Sequence, residues 1–509
     1  MNAARPNILW IVTTQWRAQA CGYAGDPNAR TPHLDALAAE SINFTQAVTP
    51  HPFGPFARAA ILTGVLSPEN GLRGYFDPLP VGTRTIAHDL VARGYATAFF
   101  GKWHLGRRDP SEPLVGEAHA KIVVPTEERG GFEFWEGFES GFLINDPWLH
   151  GTRLPQPQRF VGYQSDVVCS RAAEWIAEKT RGQRSEVSGQ KSEARRQKSE
   201  VRSRRLEAGG EKTKAGHQKP ETGSQRVEHG KQDATKIENP NFKIQNWFAV
   251  VSLEPPHPPY DAPAPRSGSG NVSDISLRNP AEIILPANVP LGGEVEARAR
   301  RELAGYYAHI EATDRAIGRL LATVPRDTAV VFTSVHGDMH GAQGLFRKGW
   351  PHEESVRVPL LMRWGGNAEW GMRNAECGSQ KPEVRSQKPE AGTERPASRG
   401  QKSENREEKS DAAITLADLP ALMLAKIQNP NFKFQNQSAR ISMPSVVRLP
   451  DQCDRIWRGV RTPRRKLVLN ADASPWLFFD LENDPLEQRN LAGEAVRSAE
   501  MADLRALID

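Results

Sequence analysis

The chain has 509 residues, a formal net charge of +5, 38% hydrophobic residues and a mean hydropathy of -0.57. This length suits one large α/β domain with a smaller companion, or two or three average domains, and it can bury a substantial core. The low hydropathy excludes a chain that is core throughout, and no segment reaches the roughly eighteen apolar residues of a membrane span.

In chain order, "MNAARPNILWIVTT" opens with a short polar lead and an apolar run too brief for a signal-peptide core, so the sequence as written predicts a soluble, cytoplasmic protein. Within it "NILWIV" reads as a central, doubly covered strand of a parallel sheet. "TPHLDALAAES" follows as a helix with Thr31 at the N-cap, Pro32 at N1 and an apolar face of Leu34 and Leu37. "HPFGPFARAAILTG" reads as a helix entry whose N-terminal N–H groups favour an anion, with Arg58 beside it. Next come a helix in "TRTIAHDLVARG" and a strand in "YATAFFG". "NWFAVVSLEPPHPPY" is a strand emerging into a proline-stiffened loop, "EVEARARRELAGYYAHIEATDRAIGRLLATV" a long helix, and "TAVVFTSVHGD" a strand running into a loop. This alternation predicts an α/β fold with a mainly parallel central sheet flanked by helices. "IWRGVRTPRRKLVLN" and "PWLFFDLENDPLEQRNLAG" predict a small C-terminal antiparallel sheet unit ending in a helix.

Three low-complexity stretches interrupt the pattern. Residues 181–236 hold fifteen Lys/Arg against eight Asp/Glu, with Val187, Val201, Leu206 and Val227 as the sizeable apolar residues and no aromatic. Such composition predicts disorder. Its excess of positive charge exceeds that of the whole chain, so the remainder is near neutral; lacking interleaved aromatics and a recognition motif, it argues against nucleic-acid binding. A second stretch, 375–411, shares its "QKSE" and "QKPE" words, and a third, 426–438, carries "KIQNPNFKFQN", a near copy of "KIENPNFKIQN" at 236–246. All three read as insertions into surface loops, where closure costs grow slowly with length. The expected division is therefore an α/β domain over 1–365 interrupted by the disordered insert 181–236, a disordered insert over 375–411, and a C-terminal part over 412–509 containing the short insert 426–438. Cys21, Cys169, Cys377 and Cys453 are scattered without metal-ligand spacing and read as free thiols.

In parallel α/β sheets the site collects beyond the strand C-termini. There stand "GKWHLG", "PPHPPY", "SVHGDMHG" and "FRKGWPHEESVRVPLL". With Arg58 they supply two lysines, Lys102 and Lys348, and three imidazoles, His104, His257 and His336. That set would bind an oxyester anion and move protons around it.

These segments resemble the sulfatase family of the alkaline-phosphatase superfamily. "RPNILWIV", "TPHLDALAAESINFTQAVT", "RAAILTG", "GKWHLG", "PHPPYDAP", "VVFTSVHGDMHGAQGL", "EESVRVPLL" and "FDLENDPLEQRNLAG" follow the family order, covering nearly everything but the inserts. The resemblance implies a nucleophile made from a cysteine oxidised to formylglycine, in a Cys/Ser-x-Pro-x-Arg motif whose arginine is Arg58. Gly54 then stands at the nucleophile position, and Pro55 and Phe56 shift the motif's proline by one place. The family also uses Ca²⁺, held by an Asp-Asp or Asp-Gln pair where this chain has Thr14 and Gln15, and by an Asp-His or Asp-Asn pair where it has Val335 and His336. Hard Ca²⁺ needs anionic oxygens, so the expectation is no bound Ca²⁺ and no formylglycine; Asp338 and His340 lie nearby, but their use would require a rebuilt loop.

The resemblance also implies roles. Arg58 and Lys102 would stabilise developing negative charge, His104 would be the base that breaks down the intermediate, His257 the leaving-group acid, and Lys348 a contact to sulfate and leaving group. With cations kept and metal carboxylates lost, an unusually positive pocket is expected. The leading expectation is a family member that has lost formylglycine and metal-dependent hydrolysis, a non-catalytic or decaying relative of binding or vestigial class, whose substrate, if any, would be a sulfated small molecule or sugar. Two others stay open: a working sulfate- or phosphate-ester hydrolase whose water is activated by His104 or His257, and an interaction protein working through its basic inserts.

Overall fold

The computed structural model describes residues 5–183, 245–260, 277–364 and 408–508. The chain divides into a large unit, 1–174 with 246–509, and a small one, 175–245. Of the small unit, 175–183 and 245 are described, the first stretch helical. Inside it the Lys179 ammonium lies 5.5 Å from the Trp175 ring centroid, and Gln183 donates to the Gln245 carbonyl at 2.9 Å.

The large unit is built on a sheet whose strands are β1 (Ile8–Thr13), β2 (Ile42–Phe44), β4 (Ala96–Lys102), β5 (Phe134–Phe138), β6 (Trp148–Gly151), β7 (Gln158–Arg159), β8 (Trp247–Ser252), β9 (Ala329–Ser334), β10 (Leu360–Arg363) and β11 (Glu408–Ser410). Their order is β11-β2-β10-β9-β1-β8-β4-β5-β6-β7. The central five, β9-β1-β8-β4-β5, are parallel. β1, β8 and β9 are buried at every position, as their unbroken apolar runs require. A two-residue pair, β3 (Ala47–Val48) with β12 (Ile414–Thr415), stands apart from this sheet. Gly101, in β4, has φ +94°, and a Cβ there would lie 2.1 Å from the Ser252 carbonyl oxygen. Only glycine lets β4 and β8 meet so closely just before their site residues.

Several expectations change locally. Thr31 stands at the N-cap of its helix, Pro32–Ala39, as expected, but its side chain makes no capping bond; its hydroxyl accepts from Gly22 N–H and donates to Asp35. The free N–H groups of His33 and Leu34 go instead to the carboxylate of Asp314, on the long helix Gly293–Thr323. Burial pushes the Asp314 carboxyl up to about 7, against those two bonds. The insert predicted over 375–411 ends earlier than expected, because Glu408–Ser410 adds to β2 in parallel. The stretch 426–438 is structured: residues from Lys426 to Gln428 complete the helix Leu419–Gln428, and Phe432 and Phe434 pack against the main apolar core. Two aromatics suffice to anchor a segment whose low-complexity words suggested a loose loop. Residues 184–236, 375–407 and Cys377 lie outside the described residues, while Cys21, Cys169 and Cys453 are free and buried. Among the described residues no helix is long and apolar enough to cross a membrane.

The C-terminal sheet is antiparallel, β13 (Ala439–Met443), β14 (Trp457–Arg461), β15 (Arg465–Asn470) and β16 (Pro475–Asp480) in that order. It grips the segment that follows Lys348. Trp457 Nε1 donates to Gly349 O at 2.8 Å, and Lys466 Nζ donates to Pro351 O at 2.8 Å. Lys466 also pairs with Glu353 at 2.9 Å and Glu487 at 2.6 Å, and Arg461 with Glu353 at 3.0 Å, all four buried. Replacing Lys466 by Met would leave Glu353 and Glu487 buried together with one cation. The expected loss is about 3–5 kcal/mol, read as a lower urea midpoint; adding Glu353→Gln should recover part of it if the network is as drawn.

Candidate active site

Four parallel strands deliver the site. β1 ends into Thr14 and Gln15, β4 into Trp103 and His104, β8 into Glu254 and His257, and β9 into Val335, His336 and Asp338. Parallel strands end at one edge, so these residues meet there. Arg58 comes from the helix Gly54–Thr63, which starts at Gly54 after an extended, uncapped Phe53.

Arg58 is buried and ties the strand ends together. Its NH1 donates to Lys102 O at 3.1 Å and Ser252 Oγ at 2.6 Å, and its NH2 to Thr14 Oγ1 at 2.7 Å. The Thr14 hydroxyl passes its own proton to Leu253 O at 2.9 Å. Burial lowers Arg58 to about 10, with Glu254 and Glu139 opposing. Lys102 forms a fully buried ion pair with Glu254 and sits 4.4 Å from the Phe142 ring centroid. Burial lowers it to about 8 despite Glu254.

His104 fills the room beside Gly54, where a Cβ on residue 54 would lie 2.9 Å from its Nδ1. Its backbone is left-handed, φ +59°, a conformation a side chain tolerates only when its surroundings hold it. Arg108 NH1 stands 2.8 Å from Nε2. A guanidinium can only donate, so Nε2 accepts and the ring proton sits on Nδ1, which is buried and has no partner among the described residues. Burial, then Arg108, Lys102, Arg58 and Lys348, hold this imidazole far below its usual range.

Lys348 bridges the other side. Its Nζ lies 2.7 Å from Gln15 Oε1 and 2.7 Å from His257 Nε2. His257 Nδ1 meets Pro258 O at 2.8 Å, so that nitrogen carries the proton and Nε2 accepts from the lysine. Burial pushes Lys348 down to about 7, Lys102 and Arg347 adding to the effect and Asp338 opposing it. Gln15 Nε2 donates to Asp338 and Tyr260. Burial alone would raise Asp338, but His340, Arg347 and Tyr260 hold it well below the carboxylate range. Val335 belongs to the apolar core, and His336 spends Nδ1 on Gly337 O.

The structure thus brings Arg58, Lys102, His104, His257, Lys348, Thr14 and Gln15 into one neighbourhood, as separate hydrogen-bonded groups that feel each other's charge, while Val335 lies in the apolar core. Sequence reasoning missed Arg108, Glu139, Glu254, Tyr260 and Arg347. Glu254 adjoins "PPHPPY" and was open to inspection; nothing in "LGRRDP" separates Arg108 from Arg107. The carboxylates matter, since the missed Glu254 and Glu139, together with Asp338, face the cations that were expected to make the pocket unusually positive. Among the described residues no three His, Cys, Asp or Glu side chains are placed to hold a metal ion.

The sulfatase family model matches residues 6–188 and 229–384. The chain belongs to the sulfatase family. It is 31% identical over 370 residues to the ulvan-active sulfatase of Formosa agariphila, across 71% of this chain and 57% of that protein's length. Over 538 residues it is 22% identical to the N-acetylglucosamine-6-O-sulfatase of Bacteroides thetaiotaomicron, across 99% and 86%. The crystal structure of the putative sulfatase from Bacteroides fragilis shares its fold, with a TM-score of 0.66, 22% identity and coverage of 100% of this chain and 95% of that one. The α/β scaffold of this sulfatase-family chain is therefore the family's own.

The buried lysine gives a signed pH effect. Lys348 falls from 10.5 to about 7 on folding, so between those values the unfolded chain binds more protons and stability rises with pH. Below about 7 the cost of burying the charge is felt in full. Lys348→Met is expected to stabilise the fold by about 1–3 kcal/mol at pH 6, the gain shrinking as pH climbs toward 10, in urea melts across that range.

Proposed function

We propose that this chain is an anion-binding sulfatase-family protein impaired in formylglycine-dependent hydrolysis, with a sulfated sugar as its ligand class. One observation carries the reading: residue 54 is glycine, and the space its side chain would need is held by His104. A chain without an oxygen or sulfur at that position has no nucleophile of the family's type.

The metal positions support the same reading. Ca²⁺ takes six to eight oxygen ligands, several of them anionic. Thr14 Oγ1 is engaged by Arg58, Gln15 Oε1 by the Lys348 ammonium, and Val335 lies in the apolar core. Asp338 is already taken up by Gln15, Tyr260 and the His340 N–H. These donors do not fit Ca²⁺.

What remains suits recognition. Arg58 and Lys102 supply charge for an anion's oxygens, His104 offers a neutral N–H, and His257 and Lys348 stand as a bonded pair beside them. The names of the ulvan-active and N-acetylglucosamine-6-O-sulfatases support a sulfated sugar. Activation of water by His104 or His257 is disfavoured, because the accepting nitrogen of each ring is already bonded to Arg108 or Lys348.

The full chain is expected to bind a sulfated monosaccharide in calorimetry without added metal, with Arg58→Met weakening binding about ten- to a hundredfold. An activated aryl sulfate should not turn over above the buffer rate. Turnover that survives repurification and vanishes in His104→Ala would overturn the proposal.

A further inference from the structure

Hydrogen-bond accounting at the site leaves a mixed remainder. Arg58 Nε and His104 Nδ1 are buried donors with no partner among the described residues, and Glu254 Oε2 is a buried acceptor in the same state. Glu254 has no exposed surface. Its Oε1 takes Lys102 and its backbone N–H donates to Gln164 Oε1 at 2.8 Å, so neither bond serves Oε2. The same carboxylate acts electrostatically on Arg58, Lys102 and Lys348. An anion drawn to those cations arrives beside an oxygen that can only accept.

Sulfate and sulfate monoesters are fully ionised near neutral pH and offer acceptors alone. Against Glu254 Oε2 such an ion would set two anionic oxygens face to face without a proton, and the carboxylate would stay unsatisfied. A singly protonated phosphate has one O–H to give and further oxygens to receive. We propose that this pocket selects the singly protonated monoanion of a phosphate monoester over a sulfate monoester, with Glu254 Oε2 as the acceptor that reads the proton. Arg58 Nε–H and His104 Nδ1–H donate to the ion's unprotonated oxygens. No bond is made or broken; the selection is one of binding. It rests on the anion-binding part of the reading above and departs from its sulfated-sugar class: a sulfate ester is the weaker ligand of this pocket and a phosphate ester the stronger.

Sites that hydrogen-bond a particular O–H reject analogues lacking it far more strongly than apolar pockets reject a methylene. The test is calorimetry on the full chain with methyl phosphate and methyl sulfate, each at about pH 5.5 and about pH 8, on either side of a phosphate monoester's second ionisation at about pH 6. Methyl sulfate keeps one charge state over that range, so titration of the protein itself cancels in the ratio of the two affinities. Methyl phosphate should bind at least about tenfold more tightly than methyl sulfate at the lower pH, and the preference should fall about tenfold at the higher one as the monoanion is lost. Glu254→Gln, which can donate as well as accept, should bring the ratio near one at both values. If that variant does not fold, the two wild-type ratios decide alone. Equal affinities, a preference for methyl sulfate, or a ratio independent of pH would sink the selection while leaving anion binding intact. If neither ion binds, the anion-binding reading falls with it.

Discussion

Arg58 donates to the ends of three strands at once, Thr14 beyond β1, Lys102 in β4 and Ser252 in β8. A buried guanidinium demands this many partners, because each unsatisfied N–H would cost about 1–3 kcal/mol. By meeting that demand the strand ends fix their own spacing. Lys102 is thereby aligned with Glu254, and Gly101 becomes obligatory where β4 presses on β8. On the β1 side the Thr14 hydroxyl holds this arginine, and Glu254 and Glu139 give it electrostatic support.

The remaining supports come from the long helix Gly293–Thr323. Tyr306 donates to Gln15 O at 3.1 Å, His309 Nε2 meets Pro259 O at 3.1 Å, and Glu302 binds Arg347 at 2.6 Å. One rigid element thus backs the Gln15 turn, the proline-rich loop and the loop bearing Lys348. Left-handed backbone at Gln15, His104, His340 and Arg347 gathers in the same region. Strain of this kind persists only where packing overdetermines it, and the helix with the C-terminal sheet supplies that packing.

The parallel core was legible because β1, β8 and β9 are continuous apolar runs, a pattern that survives without tertiary context. The cationic and imidazole members of the site were legible from their places beyond those strands. Their pairings were not. That Arg108 dictates the His104 tautomer, or that Lys348 joins Gln15 to His257, depends on side chains from loops far apart in sequence. Val335, which the resemblance placed at a lost ligand position, packs in the apolar core. The structured run from Lys426 to Phe434 was hidden by composition, since two half-buried phenylalanines weigh little in a window rich in Asn, Gln and Lys.

The room beside Gly54 is closed by the His104 imidazole, which Arg108 locks in place. A cysteine or serine at residue 54 would put Cβ 2.9 Å from Nδ1, a separation real side chains do not adopt without displacement. Such a change is therefore harmful unless the imidazole and its arginine have already moved, so the helix entry and the loop bearing His104 can be altered only as a pair.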